Sequence, residues 1–274
     1  MKNHDVQSRS KSTYLLDNAG SQAPARFDAL SALFDCGTFQ HLENCGVGPG
    51  WNCLEVGGGG GSVATWLAAR VGNTGHVLVT DVDPRFLDAS NSSNMEIIRH
   101  NIVTDPLPHA SFDLIHARLV LIQIPEREKV LTRLAAALKP GGWIVEEEFD
   151  SQSLPSNPLQ IPGEVQLKTQ AAVFRLLDEQ GVERRWGRLV HSRMRALGLV
   201  DVHAEARLSM WQGGSTGASL TRTNFEQLHD ALITRGYVTE EEWEEDIARL
   251  DDPEFVTPSP VMWMTRGRRL IKSI

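Results

Sequence analysis

The chain has 274 residues, enough for one large α/β domain with insertions and short for two independent domains. Hydrophobic residues make up 41% and charged residues 23%, an ordinary globular composition from which a sizeable core can be built. The net charge of −8 argues against a phosphate backbone as partner and so against nucleic acid.

Arg184, Arg185, Arg188, Arg193 and Arg195 form the one basic cluster that runs against this charge. Their helical spacing reads as a solvated helix face. Three cysteines, Cys36, Cys45 and Cys53, are odd in number and lack C-x-x-C spacing, which disfavours a disulfide framework or a zinc site and fits a reducing cytoplasm. The polar segment Met1–Ser12 has no apolar stretch of the kind a secretory signal needs. No run of about 18 apolar residues suggests a membrane span.

In chain order, Phe27, Leu30, Leu33 and Phe34 recur at helical spacing after Pro24, predicting one or two helices over 24–45. Gly46, Gly48, Pro49 and Gly50 then form a turn. Trp51–Val56 is a short apolar run that stops at five glycines, as a buried strand opening into a loop would. A helix follows from Ser62 to Val71, a strand over 76–80, a short helix over 84–90, and strands over 97–103 and 112–116. Val130, Leu131, Leu134 and Leu138 make one stripe of a helix over 126–138. Pro140, Gly141 and Gly142 close that helix, and Trp143–Phe149 is a fifth strand. This alternation predicts a parallel sheet covered by helices on both faces.

Beyond Asp150 the pattern changes. Residues 151–163 read as a loop, 164–181 and 184–197 as helices, and Leu199–Trp211 as a strand. Residues 215–235 and 239–251 read as helices, the second with a Thr cap and an acidic first turn, and 261–266 as a last strand.

The run Leu54-Glu55-Val56-Gly57-Gly58-Gly59-Gly60-Gly61-Ser62 points to a nucleotide-type ligand. Glycines after a buried strand let a ligand touch the main chain, and the next helix offers free N–H groups at the same place. A dinucleotide fingerprint needs a third glycine three positions after the second. From Gly57 and Gly59 that position is Ser62, and from Gly58 and Gly60 it is Val63. The spacing G-x-G-x-G of Gly57, Gly59 and Gly61 is met instead. Asp81, at the tip of the second strand and about twenty residues past the glycines, is placed to accept both hydroxyls of an adenosine ribose.

The ordered set LEVGGGGGS, TDVDP, FDLIHARLVL and LKPGGWIVEEE resembles class I S-adenosylmethionine (SAM)-dependent methyltransferases, in particular the small-molecule enzymes of the ubiquinone/menaquinone-biosynthesis type. The resemblance is close over 50–150 and loose elsewhere. It implies a Rossmann-like, doubly wound, mostly parallel seven-stranded sheet. It also implies a helical N-terminal lid over 1–45, a SAM-binding domain over 46–274, and helical cap insertions near 151–183 and 212–253.

The same resemblance implies roles for individual residues. Glu55 would help to hold the methionine amino group, and Gly57, Gly59 and Gly61 would wrap the methionine moiety. Asp81 would hold the ribose and Val82 would pack on adenine. Asn101, with Ile102, would stand where an acidic acceptor for the adenine amine is usual, with Asp105 as a fallback or a turn residue. Ala117 and Arg118 would edge the methionine part, and Tyr14 and Arg26 of the lid would reach its carboxylate.

His116, at the end of the fourth strand, is a candidate general base, with a structural histidine as the competing reading. His191 and His229 are weaker candidates of the same kind. Aromatic residues of the cap region (Phe174, Trp186, Trp211, Phe225 and Tyr237) are candidates for an acceptor wall or for plain packing.

The expected activity is methyl transfer from SAM to a small aromatic or apolar metabolite at O, N or C, as in natural-product biosynthesis, with no metal. A homodimer stays open. Two competing readings are a non-catalytic SAM- or adenosine-binding regulator and a nicotinamide-dependent oxidoreductase. The second fails at the third glycine and lacks Tyr-x-x-x-Lys, since Asn18 follows Tyr14 and Glu241 follows Tyr237 at the fourth position.

Overall fold

A computed structural model describes residues 16, 18, 20–90, 92–152 and 167–271. Tyr14, the polar segment 1–12 and most of the proline-rich stretch after Asp150 lie outside the described residues.

The apolar runs around Leu54, Val79 and Ile115 become buried strands of one sheet. β1 (Asn52–Val56), β2 (His76–Asp81), β3 (Met95–Arg99), β4 (Phe112–Arg118) and β5 (Leu138–Asp150) run parallel to one another. β6 (Val200–Arg207) and β9 (Val261–Arg268) complete a seven-stranded sheet of order β3-β2-β1-β4-β5-β9-β6, in which only β9 runs against the rest. The order reverses between β1 and β4. At such a switch point the chain leaves neighbouring strands toward opposite faces and opens a crevice at their carboxyl ends.

Helices cover both faces. α1 (Ala23–Asn44), with Pro24 in its first turn, and α2 (Ser62–Val71) bury Leu42, Val63, Leu67 and Val71 against Val77, Val79 and Val145. On the other face α3 (Arg127–Ala137) and α5 (Trp186–Ala196) bury Leu131, Leu134, Trp186 and Met194 against Leu54, Ile115 and Ile144. A third cluster joins α4 (Lys168–Glu179), α6 (Thr216–Thr234) and α7 (Glu240–Asp251) through Leu176, Phe225, Leu228, Leu232 and Leu250. The buried Asp246 carboxylate accepts the Thr169 N–H at 2.7 Å, so α7 caps the start of α4. α7 itself begins with a capping box, Thr239 with Glu242.

Four expected elements take a different form. No helix forms over 84–90. There Asp83 turns back to pair with Arg85, Leu87 N–H bonds only Pro84, and Asp88 holds the Ser90 N–H in a side-chain turn. β3 ends at Arg99, because Asn101 and Asp105 hold each other's loop and the Arg133 guanidinium collects the carbonyls of Ile102, Val103 and Asp105.

The strand expected over 199–211 divides. Its pairing with β9 runs out at Arg207–Met262, and residues 210–212 (β7, Met210–Gln212) pair instead with β8 (Val256–Pro258). Pro258 and Pro260, which have no N–H to donate, separate β8 from β9. β5, finally, takes in the Leu138–Gly142 turn and is the longest strand. Among the described residues no helix is long and apolar enough to cross a membrane.

Candidate active site

Five consecutive glycines leave β1, and the structure separates them by geometry. Gly57, Gly59 and Gly61 have φ of +69°, +52° and +84°, a region that side chains with a Cβ avoid. Gly58 and Gly60 have ordinary φ but lie against Val79 and Phe27, where a Cβ would collide. The alternate spacing seen in the sequence is therefore the set that needs left-handed backbone.

The loop encloses one end of a cavity of roughly 260 Å³ at the carboxyl edge of the sheet. Asp81 closes the turn from β2. Its Oδ2 accepts the Gly59 N–H at 3.1 Å and its Oδ1 the Asp83 N–H at 2.8 Å. Burial pushes its carboxyl up, and these two N–H groups oppose the shift. Val82, Asp83, His100 and Ile102 continue the wall beyond Asp81. On the other side Phe27 and Leu30 of α1, the turn 118–123 after β4, Phe149, and Leu177, Leu220 and Asn224 of the cap helices complete the cavity.

Of the residues expected at the site, Arg26, Gly57, Gly59, Asp81, Val82, Ile102 and Arg118 line this cavity together. Arg26 is buried and donates to Gln227 at 2.6 Å and to Asn18 at 2.9 Å, bridging α1 to α6. Gly61 shapes the loop as the left-handed residue before α2, and Ala117 is buried in the core on the far face of β4.

Other expectations need correction. Asn101 is exposed, and its amide oxygen accepts the Val103 N–H at 2.9 Å, so the flanking His100 and Ile102 form the wall in its place. Asp105 is the turn residue, accepting the Asn101 N–H at 2.8 Å.

Glu55 does not open onto the cavity. Its carboxylate is buried and sits 2.7 Å from His116 Nδ1. His116 is itself fully buried, with Glu147 at 3.7 Å on its other nitrogen. Burial alone would push the imidazole pKa down, but the two carboxylates outweigh it and raise it to about 10. A cation clamped between two carboxylates has no lone pair for a substrate proton, so His116 is a structural charge. Thr38 of α1 also donates to Glu147, and Arg118 reaches Thr38 at 3.0 Å and Asp35 at 2.9 Å. This polar chain ties α1 to the sheet edge beside the cavity.

His191 and His229 stand outside the cavity. His191 lies on α5, and His229 lies between α6 and α7, edge-on to Trp243 and 2.9 Å from Glu240. His191→Ala and His229→Ala are each expected to leave S-adenosylhomocysteine affinity within about twofold of wild type by titration calorimetry, an effect below about 0.5 kcal/mol.

The cap aromatics also pack rather than face the cavity. Trp186, Trp211 and Phe225 are buried in the core clusters, and Tyr237 donates to Glu179. The aromatic faces on the cavity come from Phe27 and Phe149 instead. The arginine cluster is mostly paired with acids: Arg184 with Asp178, Arg185 with Glu183, Arg188 with Asp150 and Arg193 with Glu128.

Three successive glutamates, Glu146, Glu147 and Glu148, lie on β5, where neighbouring residues alternate faces. Glu146 and Glu148 share the face under α5, both fully buried. Neither Glu146 oxygen has a hydrogen-bond partner among the described residues. Burial, reinforced by Glu148, raises its carboxyl well above the usual range and so favours the neutral acid. An acid whose pKa rises on folding loses stability as pH climbs from its unfolded value toward its folded one. Glu146→Gln removes that loss. Its melting temperature is expected to match wild type near pH 5 and to exceed it increasingly toward pH 8, as thermal melts at the two pH values would show. Among the described residues no group of three or more His, Cys, Asp or Glu side chains is placed to hold a metal.

A seven-stranded sheet of this order, with a left-handed glycine loop after β1 and a buried carboxylate at the tip of β2, has the fold of the Rossmann-like methyltransferases. Residues 54–145 match the family model described as a methyltransferase domain.

The ubiquinone/menaquinone biosynthesis C-methyltransferase UbiE of Ectopseudomonas mendocina is 31% identical, over 49% of this chain and 57% of that protein. UbiE of Francisella tularensis subsp. novicida is 28% identical over 48% and 58%. The chain thus spans somewhat more than half the length of the curated relatives it matches. In fold it is similar to phosphoethanolamine N-methyltransferase 2 of Haemonchus contortus, solved with phosphomonomethylethanolamine and S-adenosylhomocysteine (TM-score 0.59, 14% identity, 93% of this chain and 59% of that one). It is also similar to the YcgJ protein of Bacillus subtilis (TM-score 0.58, 14% identity, 86% and 99%).

Proposed function

We propose that this protein transfers the methyl group of SAM to an uncharged, largely apolar small molecule, at a carbon atom. The observation that carries the reading is the division of the cavity into two chemistries. Of its charged and titratable lining groups, Asp81, Asp83 and His100 belong to the glycine-loop end and the wall beyond it, Arg118 to the end of β4, and Arg26 to α1, where it is bonded to Asn18 and to Gln227 of α6. The lining opposite is apolar or neutral: Leu30 of α1, Ile122 and Gln123 of the turn after β4, Phe149 of β5, and Leu177, Leu220 and Asn224 of the cap helices.

The lining residues fit SAM. The left-handed loop lets a ligand approach the backbone, and the Asp81 carboxylate accepts from ribose hydroxyls while it holds Gly59 in place. SAM supplies an already activated methyl group. The protein's part is to align the acceptor and exclude water, with α1 as the lid and the α4, α6 and α7 region as the cap. His116 is locked in its ion pair, and Asp81, Asp83 and His100 stand on the glycine-loop side of the cavity, so the site best suits an acceptor that arrives already nucleophilic. An electron-rich aromatic carbon meets that condition: it takes the methyl group as the S–CH3 bond breaks and releases its ring proton to water afterwards, whereas an ammonium or an alcohol must give up its proton first. The name of the UbiE relatives, C-methyltransferases of quinone biosynthesis, supports the same reading.

The test is label transfer from methyl-labelled SAM to reduced quinones, simple phenols, phosphoethanolamine and glycine. Label is expected on the carbon of a quinol or phenol and not on the charged amines. Transfer to phosphoethanolamine or glycine would overturn the choice of acceptor.

A further inference from the structure

The turn that follows β4 forms the wall between the glycine loop and the cap. Leu119, Val120, Ile122 and Gln123 all line the cavity, and Val120 rests directly on Gly57. The turn is under conformational load, since Leu119 has φ +57°, in the left-handed region that a branched side chain avoids. Something must hold it there.

The chief hold lies beneath the turn. Glu148 of β5, fully buried, places Oε1 within 3.2 Å of Val120 N, 2.7 Å of Leu121 N and 3.3 Å of Ile122 N. One oxygen thus collects three successive N–H groups that a short helical turn leaves without intrahelical partners. Backbone and side-chain contacts add to this. Leu119 N–H bonds Glu147 O at 2.8 Å, and Gln123 Nε2 donates to Leu119 O at 2.8 Å. Arg127 links Leu121 O to Gly181 O, at the end of α4. The same turn therefore touches the cofactor loop on one side and the cap on the other.

We propose that Glu148 is a positioning residue for transfer: its Oε1 fixes the 119–123 turn and so sets the register between the glycine loop and the acceptor wall. This rests on the SAM reading given above. It requires an oxygen acceptor at this place, not a negative charge, so Gln should replace Glu and Met should not.

The test combines hydrogen exchange with S-adenosylhomocysteine titration on wild type, Glu148→Gln and Glu148→Met. In Glu148→Met the amides of 120–122 are expected to exchange at least tenfold faster while those of 63–71 keep their protection. S-adenosylhomocysteine affinity should fall at least tenfold in the same variant. Glu148→Gln should stay within about threefold of wild type in both, a difference a general packing defect would not produce. Should Glu148→Met fail to fold, Glu148→Asp, which draws the oxygens back by one methylene, carries the same expectation. Wild-type protection at 120–122, or wild-type affinity, in a folded Met or Asp variant would overturn the proposal. Failure of the wild type to bind S-adenosylhomocysteine would instead remove the cofactor reading, while the exchange comparison would still judge whether Glu148 holds the turn.

Discussion

Asp81→Ala is expected to weaken S-adenosylhomocysteine binding by roughly 100-fold or more, a loss of about 2.7 kcal/mol. Two effects combine. A carboxylate that accepts from ribose hydroxyls makes charge-assisted bonds worth about 1.5–3 kcal/mol each. The same carboxylate holds the Gly59 and Asp83 N–H groups, so its removal also loosens the glycine loop. Asp81→Asn keeps one oxygen acceptor and should fall between the two, at a loss of roughly tenfold, about 1.4 kcal/mol. Titration calorimetry on the three proteins separates the contributions. An Ala variant that binds within threefold of wild type would remove Asp81 from the ribose site.

His116→Leu is expected to cost about 3–5 kcal/mol of stability, because it strands Glu55 and Glu147 in the core without their cation. For a chain of this size that is a fall of roughly 10 °C in melting temperature. The wild type carries the matching pH dependence. The imidazole pKa rises from 6.5 to about 10 on folding, so its contribution is fully present below about 6.5 and is lost as pH climbs toward 10. Thermal melts at pH 6 and pH 9.5 should show the gap between wild type and His116→Leu narrowing at the higher pH. A gap that widens with pH would contradict the imidazolium assignment. In the Leu background, Glu55→Gln should recover part of the loss, since it removes one of the two unpaired charges.

Much of this was readable from the sequence because the cofactor half is built from local signals. Alternate glycines after a buried strand, and an aspartate at the next strand tip, lie within one strand–helix–strand unit, so spacing alone places them. The parts that escaped depend on register between distant segments. His116 faces Glu55 because β4 and β1 pair Glu55 with His116 across 61 residues. A signal did exist, since a charged residue in the most buried strand of a parallel sheet must find a partner, and the neighbouring strand held one candidate. Glu146–Glu148 carried the same warning in β5.

Asn101 escaped for another reason. Its strand ends at Arg99, four residues earlier than the apolar pattern suggests, because the Asn101 and Asp105 side chains capture backbone N–H groups in a turn. The cap could be recognised as helical, but not its inner face. Which of Phe174, Trp211, Phe225 and Tyr237 would face the acceptor depended on how α4, α6 and α7 pack, and all four turned away from the cavity.

The most direct test of the central claim is calorimetric titration of the wild-type protein with S-adenosylhomocysteine, set beside NADH and NADPH. The site described here predicts saturable binding of S-adenosylhomocysteine and none of the nicotinamides, because the third glycine of a dinucleotide loop is Ser62 or Val63 in this chain. Binding of NADH without S-adenosylhomocysteine would contradict it.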